Sequence, residues 1–178
     1  MTHSVTVRVT HWINALAYLA LVVSGVAILL AHPRLYWGET GGLGTPSLVD
    51  LPLPFMLTGQ SGWGRYLHFL SAWACVLNGL LYAVSTTPAR RFVRDYTTAQ
   101  RWAYTAVVFA LFPLAIWTGL AMSPALVSVV PALVTVWGGQ QSARTVHFFI
   151  ACVLALFVLV HVVMALRAGL LKAMITGR

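Results

Sequence analysis

An arginine precedes a histidine by three residues at three places in this chain of 178 residues, Arg8/His11, Arg65/His68 and Arg144/His147, each time at the leading edge of a long apolar run. A fourth histidine, His161, follows His147 by fourteen positions in the same run. Ionisable side chains are costly inside apolar helices, and where they occur they mark functional sites. A neutral imidazole is a metal ligand, and two of them on opposite sides of a porphyrin make six-coordinate iron. Such iron has no open position for oxygen and suits electron transfer rather than oxygen activation. The four histidines are therefore candidate axial ligands for two haems. The two cysteines, Cys75 and Cys152, lie in apolar runs and the chain has no Cys-x-x-Cys-His. Covalent c-type attachment is thereby excluded, and the cofactors would be two non-covalent haems b. The competing role for any single intramembrane histidine is an interhelical hydrogen bond. His3, in the polar N-terminal tail, and His32, just before Pro33, read as surface residues.

Ligands at these positions need helices to carry them. Hydrophobic residues make up 60% of the chain and charged ones 8%, against about 25% charged in a soluble domain. Four apolar runs, at about 7–31, 66–84, 102–122 and 145–170, are each near or above the length that crosses a bilayer. The first is longer than a signal-peptide core and carries His11 and Asn14, so it is expected to stay as a span. The expected fold is all-α, an integral membrane four-helix bundle in a single domain over residues 1–178, with two haems stacked across the bilayer. The outer loops are placed at about 32–65 and 123–144. The first is rich in Gly and Pro, which argues against regular structure. The second contains Pro124–Trp137, apolar but too short to cross, and reads as an interfacial helix or re-entrant piece.

The net charge of +8 comes from eleven basic residues scattered at segment ends rather than gathered on one soluble face, which argues against nucleic acid. With four spans, one side collects Arg8, Arg90, Arg91, Arg94, Arg101, Arg167, Lys172 and Arg178, and the other Arg34, Arg65 and Arg144. Basic loops stay inside, so both termini are expected to be cytoplasmic. A helix rises ~1.5 Å and turns ~100° per residue, so His147 and His161 share a face, ~21 Å apart in depth and offset by about 40°. His68 enters its helix from outside and His11 from inside. The expected pairs are His68 with His147 for the outer haem, and His11 with His161 for the inner.

An i, i+3 arginine shares its histidine's face one turn nearer to water, where haem propionates need cations. Arg8, Arg65 and Arg144 are candidate propionate partners, and Arg167, six residues beyond His161, is a looser one. Snorkelling to lipid headgroups is the alternative, and for Arg8 it stands equal. Gly25, fourteen residues after His11, and Gly79, eleven after His68, fall on the ligand faces at the depth of the other haem. They are candidate haem contacts, because a flat macrocycle needs a missing side chain beside it. The third span has no histidine and contains Pro113, and is expected to be a kinked wall.

Arg8-Val-Thr-His-Trp-Ile-Asn-Ala15 with Ser24-Gly25, then Gly64-Arg-Tyr-Leu-His68, then His147 and His161 together resemble the prokaryotic cytochrome b561 superfamily across all four spans. That group includes the di-haem cytochrome b subunits of nickel–iron hydrogenases, formate dehydrogenases and thiosulfate reductases. The resemblance implies the same pairing of histidines. It also implies electron exchange, in either direction, between the quinone pool and a periplasmic redox enzyme, across the bacterial cytoplasmic (inner) membrane. The outer loop resembles the thiosulfate-reductase-like branch, whose partners include molybdopterin oxidoreductases. Tyr36, Trp37 and Glu39 in that loop are then a candidate docking surface. Asn14, Gln100, Arg101 and Tyr104, polar groups near the depth of the inner haem, are candidate quinone contacts. Two other classes stay open: a free-standing quinol oxidoreductase using a small oxidant, and a haem-free membrane anchor or histidine-based carrier.

Overall fold

A computed structural model describes residues 4–42, 44–53, 61–85 and 97–177. His3, Pro54, Gly59, the basic loop residues Arg90, Arg91 and Arg94, and Arg178 lie outside the described residues. The elements in chain order are α1 (Val5–Ala31), β1 (Arg34–Leu35), β2 (Val49–Asp50), α2 (Ser61–Ser85), α3 (Thr98–Ala106), a π-helical turn (Val107–Leu111), α4 (Phe112–Ala121), α5 (Pro124–Val129), α6 (Ala132–Thr135), α7 (Gln140–Arg167) and α8 (Leu171–Thr176). Three stretches, Val5–Ala31, Thr98–Ala121 and Gln140–Arg167, are long and apolar enough to cross a membrane. Only 11% to 17% of each is buried inside the protein. Leu16, Leu19, Leu156 and Leu159 stand open on their flanks, as lipid-facing side chains must. The run expected to be the second span is the helix α2, whose 25 residues suffice in length, although Arg65, His68 and Asn78 make it more polar than the other three.

The contacts group into two compact units. The first comprises Met1–Ala31, Leu57–Tyr96 and Phe157–Arg178. Its centre is an antiparallel seam of small residues at seven-residue intervals. Thr10, Ala17 and Ser24 are buried on α1, as are Gly64, Ser71 and Asn78 on α2. In lipid there is no hydrophobic force between helices, so association depends on close backbone approach and interhelical hydrogen bonds. Both are present. A Cβ at Gly64 would lie 3.3 Å from the Ala27 Cβ and 3.5 Å from the Ser24 carbonyl oxygen, and the Asn78 amide donates to the Thr10 carbonyl at 2.7 Å. Such a bond contributes about 0.6 kcal/mol on average within a membrane. At the chain's end Gly169 adopts φ +65° and α7 stops. The following α8 is held to α1 by the Trp12 indole N–H, which donates to the Met174 carbonyl at 3.1 Å.

The second unit comprises His32–Met56 and Thr97–Leu156. The loop expected to lack regular structure contains a two-stranded antiparallel ribbon, Arg34 opposite Asp50 and Leu35 opposite Val49. Arg34 and Asp50 form an exposed ion pair at 3.0 Å. The neighbouring carboxylate holds the Arg34 guanidinium in its charged form above its ordinary pKa. Gly38, at φ +100°, turns its carbonyl onto the start of α7. There it accepts from the Gln141 and Ser142 N–H groups at 3.0 and 3.3 Å, while the Ser142 hydroxyl accepts from the Gly38 N–H at 2.7 Å. The loop thus supplies partners for N–H groups that an α-helix leaves open at its first turn. Gly139 lies so near the Gly38 backbone that a side chain there would collide with it.

Pro113 explains the interruption between α3 and α4. It has no N–H to donate, and its ring excludes the carbonyl four residues earlier. The chain widens just before it, and the Phe112 N–H reaches the Val107 carbonyl, a five-residue step. Where a kink at Pro113 was expected, the stretch carries this π turn. The apolar stretch after the third span forms the short helices α5 and α6. Val134 of α6 packs with Ala121 of α4 and Ala143 of α7 in a small core.

Candidate functional site

Within the first unit, His11 of α1 and His161 of α7 face each other with ring centres 6.4 Å apart and planes inclined at 46°. A metal–imidazole bond is about 2 Å long, so two bonds plus the half-width of each ring place the centres about 6 Å apart on one shared metal. Among the described residues no three of His, Cys, Asp and Glu come together as ligands for a metal ion. A metal between these two rings must bring its remaining ligands with it, as the iron of a haem does. Both rings are oriented by aromatic neighbours. Trp12 meets His11 edge-on at 5.5 Å, and Phe157 stacks on His161 at 6.2 Å and 18°. Trp12 is itself held by α8, so the C-terminal helix helps to set the His11 ring.

Arg8, one turn before His11, is half-buried, and its Nε is enclosed with no hydrogen-bond partner. A buried donor without an acceptor costs about 1–3 kcal/mol, more for a charged group. A propionate would satisfy it. The described residues therefore fit a haem held by His11 and His161 with a propionate toward Arg8. Beside His11 lies a cleft of about 190 Å³ lined by Val7, Thr10, His11, Asn14 and Tyr82. The Asn14 side-chain oxygen is buried without a partner.

His68, also in the first unit, faces α1. Its Nδ1 is 3.0 Å from the Ser24 hydroxyl, and a Cβ at Gly25 would lie 3.7 Å from its Cε1. Gly25 therefore lies against a ligand's imidazole, whereas a Cβ at Gly79 would meet open space. In the second unit, His147 of α7 faces α4. Its Nδ1 is 2.9 Å from the Thr118 hydroxyl, and a Cβ at Gly119 would lie 3.7 Å from its Cε1.

The candidate cations divide. Arg144 is half-buried and its guanidinium donates to the His32 carbonyl, which ties the outer loop to α7 and leaves further N–H groups of the fork for an anion. Arg65 and Arg167 are exposed. Of the docking residues, Trp37 and Glu39 are exposed, but Tyr36 is buried at 7% exposure. Its carbonyl accepts from the Thr145 hydroxyl at 2.6 Å, so Tyr36 anchors the loop from inside. Of the quinone candidates in the second unit, Gln100 closes a capping box with Thr97, its side-chain oxygen accepting from the Thr97 N–H at 2.9 Å. That gives Gln100 a structural role at the start of α3. Arg101 is exposed and Tyr104 half-buried on the same helix.

Sequence reasoning passed over Thr118, Gly119 and Tyr82 and used Ser24 only as part of a motif. A usable signal was present. Of the six places where a hydroxyl residue precedes glycine, Ser24-Gly25 and Thr118-Gly119 are the ones inside the long apolar runs.

The family model described as prokaryotic cytochrome b561 matches residues 2–177. A protein of Azospira oryzae bearing the name "Putative protein-methionine-sulfoxide reductase subunit YedZ1" is 29% identical, over 98% of this chain and 96% of its own length. No solved structure matches. With a match over nearly every residue and two facing histidines suited to a shared haem iron, the chain belongs to the prokaryotic cytochrome b561 family, membrane proteins that bind b-type haem.

Proposed function

We propose that this chain is the di-haem membrane subunit of an oxidoreductase complex, exchanging electrons between the quinone pool and a periplasmic redox partner. The observation that carries the reading is the 6.4 Å separation of the His11 and His161 rings. A haem with two imidazole ligands supplies one-electron redox chemistry without an open iron position. His11 and His161 hold the inner group and Arg8 meets a propionate. His68 and His147 hold the outer group, with Arg144 and Arg65 toward its propionates. The bundle has four crossings, α2 being the second, and both termini face the cytoplasm. The name carried by the Azospira relative favours a partner of the protein-methionine-sulfoxide reductase type, in keeping with the molybdopterin oxidoreductases implied by the outer loop. Trp37 and Glu39 are the exposed loop side chains available to it.

The purified chain is expected to show two b-type haems in a reduced-minus-oxidised visible spectrum with haem counted per chain. One haem would break the pairing of one site, and none would sink the reading. Quinol is expected to reduce both haems. Copurification with a periplasmic enzyme separates this function from a free-standing quinol oxidoreductase.

The cleft beside His11 is the quinone site in this reading, with the Asn14 side-chain oxygen as acceptor for a quinol hydroxyl. Loss of one hydrogen bond of about 1 kcal/mol corresponds to a change of roughly fivefold. Asn14→Leu should therefore raise KM for quinol by about that factor at unchanged haem content. An unchanged KM would remove Asn14 from the site.

A further inference from the structure

The two histidines assigned to the outer haem share a local environment on different helices. The Ser24 hydroxyl is 2.6 Å from the Ala20 carbonyl, 3.1 Å from the Leu21 carbonyl and 3.0 Å from His68 Nδ1. The Thr118 hydroxyl repeats the pattern, at 2.7 Å from the Leu114 carbonyl, 3.1 Å from the Ala115 carbonyl and 2.9 Å from His147 Nδ1. Both residues are fully buried at 0% exposure. In each case glycine follows, and a Cβ there would touch Cε1 of the same ring at 3.7 Å. At that distance a Cβ would make ordinary van der Waals contact with the ring.

The proton count decides the tautomer. A hydroxyl has one proton and two lone pairs. In both residues the shortest contact is to a backbone carbonyl one helical turn back, an acceptor with no proton of its own, so the hydroxyl proton goes there. The remaining contact is then the ring's Nδ1–H donating to the hydroxyl oxygen. With the proton on Nδ1, the unprotonated nitrogen is Nε2, the one that would ligate a metal.

We propose that Ser24 and Thr118 are positioning residues for one and the same haem: they hold His68 and His147 as Nδ1–H tautomers and raise the basicity of the ligating nitrogens. This rests on the di-haem reading above. Outer hydrogen bonds of this kind orient a ligating histidine and strengthen it as a donor, and their loss costs about 10- to 100-fold in metal affinity. A more basic ligand favours the more highly charged ferric iron. Removing the hydroxyl should therefore raise the midpoint potential of the haem it serves.

The test uses the full-length protein in detergent, first as wild type and then as Ser24→Ala and Thr118→Val, with Ser24→Thr and Thr118→Ser as variants that keep the hydroxyl. Potentiometric titration resolves the two haems, and haem transfer to an apoprotein acceptor reads retention. Each hydroxyl-free variant should shift one haem to higher potential and release that haem about 10- to 100-fold faster. The haem that shifts should be the same in both variants. The other haem serves as the internal measure of correct folding, and the hydroxyl-keeping variants should titrate as wild type. Two haems in the wild type with unshifted potentials in both hydroxyl-free variants would overturn the proposal. So would a shift to lower potential, or shifts in different haems. Fewer than two haems in the wild type would instead overturn the di-haem reading itself.

Discussion

On the di-haem reading, His161→Ala is expected to leave one haem per chain in place of two, with the lost haem being the one that quinol reaches first. The ring centres of His11 and His161 lie 6.4 Å apart, with planes inclined at 46°. Among the described residues no cluster of three or more metal-ligating side chains could take over. A haem iron deprived of one axial imidazole keeps its porphyrin but loses the bond that fixes it between the two helices. The effect on the inner haem should be all or none in a purified, washed sample. His11→Ala should give the same spectrum, and the double variant should lose nothing more, because residues acting as a unit are not additive. Haem counted per chain, with quinol and dithionite compared as reductants, is the measurement. Dithionite should still reduce the remaining haem, whereas quinol should reduce it far more slowly. Two haems retained in either single variant would refute the inner pair.

His147→Ala is expected to remove the other haem and to stop electron delivery to the periplasmic side, while the haem at His11/His161 remains and is still reduced by quinol. His68→Ala should match it, and the pair His68/His147 should behave as one unit in the double variant. A variant combining His147→Ala with His161→Ala should be colourless. The two single-histidine variants on α7 therefore separate the two haems by spectrum, potential and reductant. Equal loss of both haems from His147→Ala would mean that the ligand sets are not independent and would count against the assignment.

The helices were readable because their signals are local. Apolar runs marked α1, α2, the α3–α4 stretch and α7, with histidines on all of them except the α3–α4 stretch. The helices begin two to five residues before those runs, where polar first turns such as Gln140–Arg144 are still helical, and α7 ends at Arg167, short of the expected 170. Pro113 announced an irregularity, and its missing N–H produced a π turn. Other residues are of types compatible with several uses. Tyr36 has the look of a docking aromatic but is buried beneath the loop. Gln100 has the look of a quinone ligand. Yet Thr97-x-x-Gln100 is itself a capping-box pattern, and that is how the structure uses it.

Residue type and spacing alone settled that long apolar helices carry four histidines, and that His147 and His161 lie on one face of one helix, because helical rise and rotation convert sequence distance directly into depth and direction. Contacts between distant parts of the chain decided the rest. The seven-residue seam brings Gly64 against Ser24 and thereby sets Ser24 beside His68. The turn at Gly38 brings the outer loop onto the start of α7. α4 places Thr118 against His147, on a span without any histidine. Each of these contacts joins two segments distant in the chain, so spacing within one segment does not fix it. Each depends on how closely two helix backbones, or a loop and a helix end, can approach, and that distance is set by small side chains on both partners at once.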